Sequence, residues 1–172
     1  EDEYEITTRT GETKWVWEQG EGVYDEHGRV VALEGFIANI TDRKRAEAER
    51  ERLTRAIEQS REIVVITDAS GTMLYVNPAF TRLTGYGIDE VRGQNPRLLS
   101  SGRNTPEDYR AMWQAVREQG FWQGEMWDRH KGGEIYPKLM TITTVKNPHG
   151  EIDYYIASFS DIREQKAAEE RI

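Results

Sequence analysis

The sequence contains no cysteine, and its 172 residues include only five prolines and three histidines. The absence of cysteine excludes disulfide bonds, thiolate metal ligands, thiol nucleophiles and covalent cysteinyl cofactor adducts in this segment. No apolar run approaches the roughly 18–20 residues that cross a bilayer, and the N-terminal stretch lacks the basic and apolar regions of a signal peptide. We therefore expect a cytoplasmic location and no membrane contact for this segment.

Positive charge is also in the minority. The chain carries 23 Lys and Arg against 31 Asp and Glu, which gives a formal net charge of -8 and a pI near 5.0. Nucleic-acid binding depends on clustered cations that neutralise phosphates, so this balance argues against a nucleic-acid partner. The composition is nevertheless globular, because 37% of the residues are hydrophobic and 10% are aromatic, enough for at least one core.

The two ends of the chain resemble each other. Gly11 and Gly28 lie 17 residues apart near the N-terminus, and Gly133 and Gly150 repeat that spacing near the C-terminus. The second glycine of each pair closes a turn between two alternating, strand-like runs. The pattern predicts a β-hairpin at each end of the chain.

Each hairpin is followed by an aspartate and then by charged, alanine-containing sequence that predicts a helix, at residues 43–60 and 162–172. Asp42 lies 14 residues after its turn glycine and Asp161 lies 11 after, so we expect about three extra residues around positions 33–35 of the first copy. An acid at a helix start caps the helix and favours its dipole. Asp42 and Asp161 are therefore interpreted either as simple caps or as signalling residues that couple each domain to its helix.

The helix predicted at residues 43–60 has a narrow apolar stripe, formed by Ala46, Leu53, Ala56 and Ile57. A narrow stripe suits a partner helix better than a full core. Two alternatives follow from it: a homodimer that forms through these helices, or a solvated helix that lies on its own domain.

Residues 61–161 predict one complete α+β domain. Two strands surround an Asp-Ala-Ser-Gly turn, short helices broken by glycine and proline follow, and a longer helix over residues 105–119 precedes three strands. Thr105, Pro106 and the acids after them are typical of a helix start. The order indicates a five-stranded antiparallel sheet with central short helices. Residues 1–42 supply only the last strands of a similar domain.

Several motifs resemble the PAS family of sensory domains: YVNPAFTRLTGYGIDEVRGQNPRLL, the W-x-G-E turn at 122–125 and FSDIREQK at 159–166. The ending ITDRK resembles the terminal strands of a preceding PAS domain. The resemblance implies a PAS fold, flanking signalling helices, and adjacent PAS and output domains of a bacterial histidine kinase, cyclic-dinucleotide enzyme or chemoreceptor. The segment itself is not expected to be an enzyme, because it has no nucleophile elbow, P-loop or paired-carboxylate spacing.

The PAS resemblance also implies a pocket between the sheet and the central helices that holds flavin, haem, a small acid or nothing. Haem is disfavoured because the helix at 105–119 has no histidine, and the spacing of His27, His130 and His149 suggests no metal site. GQNPRLL resembles the light-oxygen-voltage version of PAS. Pro96 stands where that version has its reactive cysteine, so no cysteinyl-flavin adduct is expected.

An FAD-binding redox sensor is the better flavin candidate. LLSSG and FWQG are similar to the FAD-binding PAS domains of nitrogen-fixation and methane-oxidation regulators, in which a tryptophan matching Trp113 lies near the flavin. The pocket amides of the light-oxygen-voltage version align with Asp128, Lys138 and Phe159. The expected cofactor-binding residues are Asn95, Trp113, Trp122, Asp128 and Tyr136, and no catalytic or metal-ligating residue is expected. FAD, an empty structural pocket and another small ligand remain alternatives.

Overall fold

The computed structural model describes residues 1–169 and Arg171, and these form two compact units, Glu1–Arg55 and a second unit that begins at Ala56. The first unit is a three-stranded antiparallel sheet in the order β1 (Asp2–Thr7), β2 (Thr13–Tyr24), β3 (Val30–Asn39). Helix α1 (Thr41–Glu58) follows β3. Leu33 and Ile37 point to one face of β3 and Phe36 to the other, and they are 81%, 68% and 76% exposed. Both faces of this strand therefore carry exposed apolar side chains.

The second unit contains a five-stranded antiparallel sheet whose neighbours run in the order β5-β4-β8-β7-β6. The strands are β4 (Ile63–Asp68), β5 (Met73–Val76), β6 (Phe121–Arg129), β7 (Ile135–Lys146) and β8 (Ile152–Asp161). The helices α2 (Pro78–Thr84), α3 (Ile88–Val91) and α4 (Pro106–Gln119), with a 3₁₀ helix (Pro96–Leu99), lie between β5 and β6, and α5 (Arg163–Glu169) follows β8. The predicted α+β sheet with central short helices is confirmed. The last helix was predicted to reach residue 172, and Glu170 and Ile172 lie outside the described residues.

Local chemistry explains where the central helices begin. The Asn77 side chain accepts hydrogen bonds from the amides of Val64 and Phe80 and donates to the carbonyls of Ile57 and Glu62, so it caps α2 and ties β4 to the end of α1. Helix α4 starts with the predicted cap, a capping box formed by Thr105 with an acid three residues later. The core packs between the sheet and these helices and comprises Ile63, Val65, Met73, Val76, Ala79, Phe80, Val91, Leu99, Met112, Val116, Met126, Met140, Ile142 and Phe159.

The repeat seen in the sequence extends to the hydrogen bonds. β2 and β7 have 12 residues each and β3 and β8 have ten, and every strand of the second pair starts 122 residues after its counterpart. Both pairs also have their register shift at the same place, at Val23/Tyr24 and at Val145/Lys146. The three extra residues expected around positions 33–35 are therefore absent, and that prediction was wrong.

The same register shows that Asp42 and Asp161 do not occupy equivalent positions in the two copies. Asn39, and not Asp42, occupies the position of Asp161: each is the last residue of its strand, and each accepts a hydrogen bond from the amide two residues later. Those bonds are 3.0 Å from Thr41 to Asn39 and 2.9 Å from Arg163 to Asp161. The expectation failed because an asparagine caps a helix as well as an aspartate does, so matching the acids shifted the alignment by three residues.

Candidate ligand cavity

A cavity of about 680 Å³ lies in the second unit, between the inner face of the sheet and α4. Its volume is within the roughly 300–1,000 Å³ range typical of small-molecule sites. The wall is mostly apolar and polar groups are concentrated in a few places. The lining residues are Thr67, Ala69, Ser70, Gly71, Asn95, Pro96, Arg97, Ser100, Tyr109, Met112, Trp113, Met126, Asp128, Lys138, Met140, Ile142, Tyr155 and Ala157.

An aromatic pair forms one side of the cavity. The Trp113 ring on α4 meets the Tyr155 ring on β8 edge-to-face, with centroids 5.5 Å apart and an interplanar angle of 74°. Trp113 reaches the cavity because it follows Met112 on the apolar face of α4, which packs on the sheet. This side therefore offers the apolar, aromatic surface that a planar ring system requires.

A buried ion pair forms a polar part of the wall. Lys138 Nζ lies 2.5 Å from Asp128 Oδ2, and the two side chains are 7% and 8% exposed. The ammonium also lies 4.1 Å from the centroid of the Phe159 ring. Burial raises the pKa of Asp128 and the positive charge of Lys138 offsets part of that rise. The cavity therefore presents a charged donor and a charged acceptor side by side in an apolar surrounding.

Asn95 lines the cavity, as expected, but its side-chain amide is engaged in structural hydrogen bonds, including a 3.4 Å bond that its Oδ1 accepts from Arg97 Nε. Its Oδ1 accepts from the Arg97 amide at 3.0 Å and caps the 3₁₀ helix, and its Nδ2 donates to the Gly71 carbonyl at 3.1 Å. The side chain thus ties the turn between β4 and β5 to the 3₁₀ helix. Arg97 is exposed and also lines the cavity.

Trp122 and Tyr136, which the sequence also nominated, lie outside the cavity lining among the described residues. Trp122 is half-buried against the core, and its ring crosses Gly124, where an added Cβ would stand 2.5 Å from it. That close approach explains the glycine in the W-x-G-E motif. Tyr136 is fully buried, and in the described part of the chain its hydroxyl has no hydrogen-bond partner. Burial raises the pKa of Tyr136, and the charge of Asp128 raises it further.

Lys138 and Tyr155 line the cavity but are absent from the site residues predicted from the sequence. Lys138 is the charged one of the two. It was noted only as a departure at an amide position, because a lysine in a strand is usually exposed. The available signal was the alternation of β7, which places Lys138 on the same face as Met140 and Ile142.

The start of α5 is tied to β7. The Asp161 carboxylate accepts from Arg163 Nε at 2.8 Å and from its Nη2 at 2.5 Å, and Arg163 Nη1 lies 2.6 Å from Glu134 Oε1. The Ile162 amide donates to the Pro137 carbonyl. In contrast, the Asp42 side chain is fully exposed and lies 4.0 Å from the Arg45 guanidinium.

The described residues show neither a metal cluster nor a membrane span. Across residues 1–169 and Arg171, no three His, Asp or Glu side chains are grouped so that they could hold an ion. The three histidines lie in or beside the tight turns that precede β3, β7 and β8. No helix in the same part of the chain is long and apolar enough to cross a bilayer.

A family model described as "PAS domain" matches residues 61–164. The nitrogen fixation regulatory protein of Klebsiella oxytoca is 37% identical over 116 residues, which cover 67% of this chain and 23% of that protein. The blue-light-activated histidine kinase of Brucella canis is 31% identical over 90 residues, 52% of this chain and 18% of that protein. The chain therefore spans less than a quarter of the length of these relatives.

The fold has a match among solved structures. The crystal structure of the PAS domain of a protein from Colwellia psychrerythraea aligns with a TM-score of 0.63 and 22% sequence identity. The alignment covers 67% of this chain and 98% of that one. At this identity the match establishes the shared architecture of sheet and central helices.

Proposed function

Because the chain belongs to the PAS domain family, we propose that its second unit is a sensory module of a bacterial signal-transduction protein, which binds FAD in the cavity and relays the state of the flavin to α5. The observation that carries the proposal is the pairing, in one cavity, of the Trp113–Tyr155 aromatic side with the buried Asp128–Lys138 pair. The relatives with nitrogen-fixation and histidine-kinase roles support a signalling context. A kinase or cyclic-dinucleotide output domain would lie outside this segment.

The residues present fit a flavin. Trp113 and Tyr155 supply aromatic surface for a planar ring, and Asp128 and Lys138 supply an acceptor and a donor for its polar edge. Arg97 offers an exposed cation on the same wall, suited to the phosphate-bearing part of a nucleotide cofactor. When bound, a flavin supplies reversible redox chemistry, and the protein supplies position and electrostatics. The absence of cysteine from the sequence leaves no thiol for a covalent adduct.

Absorbance of the freshly purified protein tests the proposal, because a bound flavin absorbs at about 450 nm. Trp113→Ala is expected to lose the flavin, since it removes one side of the cavity. It is expected to retain the fold, since Trp113 is only partly buried against the core. Trp122→Ala is the matched control: it removes a half-buried tryptophan that does not line the cavity, and is expected to retain the flavin. A colourless wild-type protein that FAD does not reconstitute would refute the proposal.

A second candidate, a ligand-free coupling module that dimerises, is favoured by the apolar stripe of α1. Leu53 and Ile57 are 54% and 37% exposed on that helix. Exposed apolar side chains at helical spacing suit pairing with a second copy. Leu53→Glu with Ile57→Glu is expected to convert a dimer to a monomer in solution. An unchanged mass would exclude pairing through this stripe.

We also propose that residues 1–42 are the last strands of a preceding PAS domain. The support is the repeat of strand lengths, register and helix caps between β2–β3–α1 and β7–β8–α5. The exposed Leu33 and Ile37 of β3 also support it, since their counterparts on β8 belong to the core: Phe159 is buried and Tyr155 packs against it. In that arrangement Asn39 and Asp161 are the residues that join each sheet to its signalling helix, and Asp42 is an exposed residue of the first turn.

A further inference from the structure

Three buried ionisable side chains cluster at the polar end of the cavity. Asp128 and Tyr136 are directly opposite each other on β6 and β7, which brings their Cβ atoms to about 4.5–5.5 Å. Lys138 lies two residues further along β7 on the same face and holds Asp128 Oδ2. Within the described residues the Tyr136 hydroxyl has no partner, although the residue is only 1% exposed. A buried hydroxyl without a hydrogen bond is an unsatisfied donor beside a carboxylate that has one strong partner.

Tyr136 also connects this cluster to α5. The Arg163 guanidinium lies 5.7 Å from the centroid of the Tyr136 ring, a cation–π contact. The other partners of Arg163 are the half-buried Asp161 and the exposed Glu134. Solvent screens both ion pairs, because the Arg163 side chain itself is 43% exposed. The Tyr136 ring is therefore the buried contact of Arg163, the first residue of α5.

Starting from the proposed function, we propose that Asp128 exchanges partners when a ligand engages Lys138, and that this exchange releases the start of α5. A ligand acceptor that takes the Lys138 ammonium leaves the buried Asp128 carboxyl without a partner, which is unfavourable. Tyr136 offers the unsatisfied donor, directly or through one bridging water. The ring then moves toward Asp128 and away from Arg163.

The two arrangements form a two-state element. Without ligand, Lys138 satisfies Asp128 and leaves the Tyr136 hydroxyl unsatisfied; with ligand, both groups are satisfied and the Arg163 contact is lost. A ligand shifts such an equilibrium by its preference for one state. The backbone supports the link, because Lys138 pairs with Asp161 in the ladder and Pro137 accepts from the amide of Ile162.

The test needs no ligand, because Lys138→Met removes the same partner from Asp128. In hydrogen exchange of the full chain, the amides of residues 163–169 are expected to exchange about two- to fivefold faster in Lys138→Met. That factor corresponds to the loss of one cation–π contact whose cation, Arg163, is partly exposed. Adding Tyr136→Phe removes the alternative partner, so the double variant is expected to exchange at the wild-type rate. Lys138→Met with Tyr154→Phe is the matched control, since Tyr154 lies on the same sheet outside the cavity lining, and it should keep the faster exchange.

Unchanged exchange in Lys138→Met, or equal acceleration with and without Tyr136→Phe, would overturn the partner exchange. Tyr136→Phe alone gives a second measurement that does not depend on the folding of Lys138→Met. Because the hydroxyl is unsatisfied, its removal is expected to leave the unfolding midpoint unchanged or higher, and a clear fall in the midpoint would also refute the mechanism. A colourless protein in the absorbance experiment would refute FAD binding and leave these two results as they are.

Discussion

The two hairpin-and-helix elements, β2–β3–α1 and β7–β8–α5, have the same strand lengths and register and differ in what covers them. Ile40 donates its amide to the Trp15 carbonyl at 2.9 Å, and Ile162 donates to the Pro137 carbonyl at 3.2 Å. These bonds occupy equivalent positions 122 residues apart in the two elements. The strand ends, turns and helix starts of the two elements therefore correspond residue by residue.

One pair of substitutions between the copies is coupled. The Trp15 amide donates to the Thr41 hydroxyl at 3.0 Å. At the equivalent positions of the second copy, Pro137 has no amide hydrogen, and Arg163 replaces the threonine. The second copy therefore lacks both the amide donor and the hydroxyl acceptor of this bond. Arg163 instead binds the carboxylates of Glu134 and Asp161. Each copy thus satisfies its own polar groups by a different route.

Burial separates the copies. Phe159 is 2% exposed, whereas Ile37, at the equivalent position of β3, is 68% exposed. β8 is covered by the central helices and flanked by β4, and the first unit contains no such helices among residues 1–55. The two pairs of strands therefore share their register, and the elements that bury the apolar face of β8 have no counterparts among residues 1–55.

The largest expected difference is between alanine substitutions at those two positions. Phe159→Ala is expected to lower the free energy of unfolding by about 3–5 kcal/mol, because it leaves a cavity in the core. Ile37→Ala is expected to change it by less than about 0.5 kcal/mol, because the side chain is exposed. Urea denaturation of both variants measures the difference. An equally large loss at Ile37 would mean that its face of β3 is covered in solution.

The buried ion pair gives the next largest effect. The counterparts of Asp128 and Lys138 in the first unit are Ile6 and Val16. Lys138→Val alone is expected to cost about 3 kcal/mol, since it leaves a buried carboxyl unpaired. Asp128→Ile with Lys138→Val, which transfers the apolar pair, is expected to be neutral or stabilising by about 1–4 kcal/mol. A double variant as unstable as the single one would show that the pair is required for folding rather than for the cavity.

The pH dependence of the same variants sharpens this result. Burial raises the pKa of Asp128 above its ordinary value of 3.8, so the folded protein binds the proton more tightly than the unfolded chain. The contribution of Asp128 to the free energy of unfolding is therefore fully present below the ordinary pKa, and it is lost as pH rises through the folded-state pKa. The double variant should gain stability relative to wild type as pH rises through that window, measured as urea midpoints at several pH values. A difference in urea midpoint between the double variant and wild type that does not change with pH would contradict the raised pKa of Asp128.

Much of the fold could be predicted from the sequence because its signals are local. Strand alternation, the turn glycines and the cap at Thr105 each depend on a few adjacent residues, and all of them predicted the observed elements. Trp113, which the resemblance to FAD-binding PAS domains nominated, lines the cavity. These signals do not depend on which parts of the chain meet.

The other site residues depend on contacts that sequence spacing does not show. Lys138 meets Asp128 across two strands, so that pairing could be seen only once the register of β6 and β7 was known. Asn95 was predicted as a ligand contact, but a bond to Gly71, 24 residues away, engages its amide. Tyr136 lies on the inner face yet outside the cavity lining, two residues before Lys138 on the same strand, a difference that composition cannot resolve.

The smallest expected effects test the caps that the two copies share. Asn39→Ala and Asp161→Ala are each expected to lower the free energy of unfolding by about 1 kcal/mol, because each removes the acceptor for the amide two residues later. Asp42→Ala is the control and is expected to cost less than about 0.5 kcal/mol. The Asp42 carboxylate is fully exposed, and its ion pair with Arg45, at 4.0 Å, is weak. Asp161 also binds Arg163, but solvent reaches the arginine and the pair is expected to add little. Urea denaturation of the three variants checks the order. A loss at Asp42 equal to that at Asn39 would restore Asp42 as the residue that starts the helix, because only a side chain that satisfies a helix amide contributes at that level.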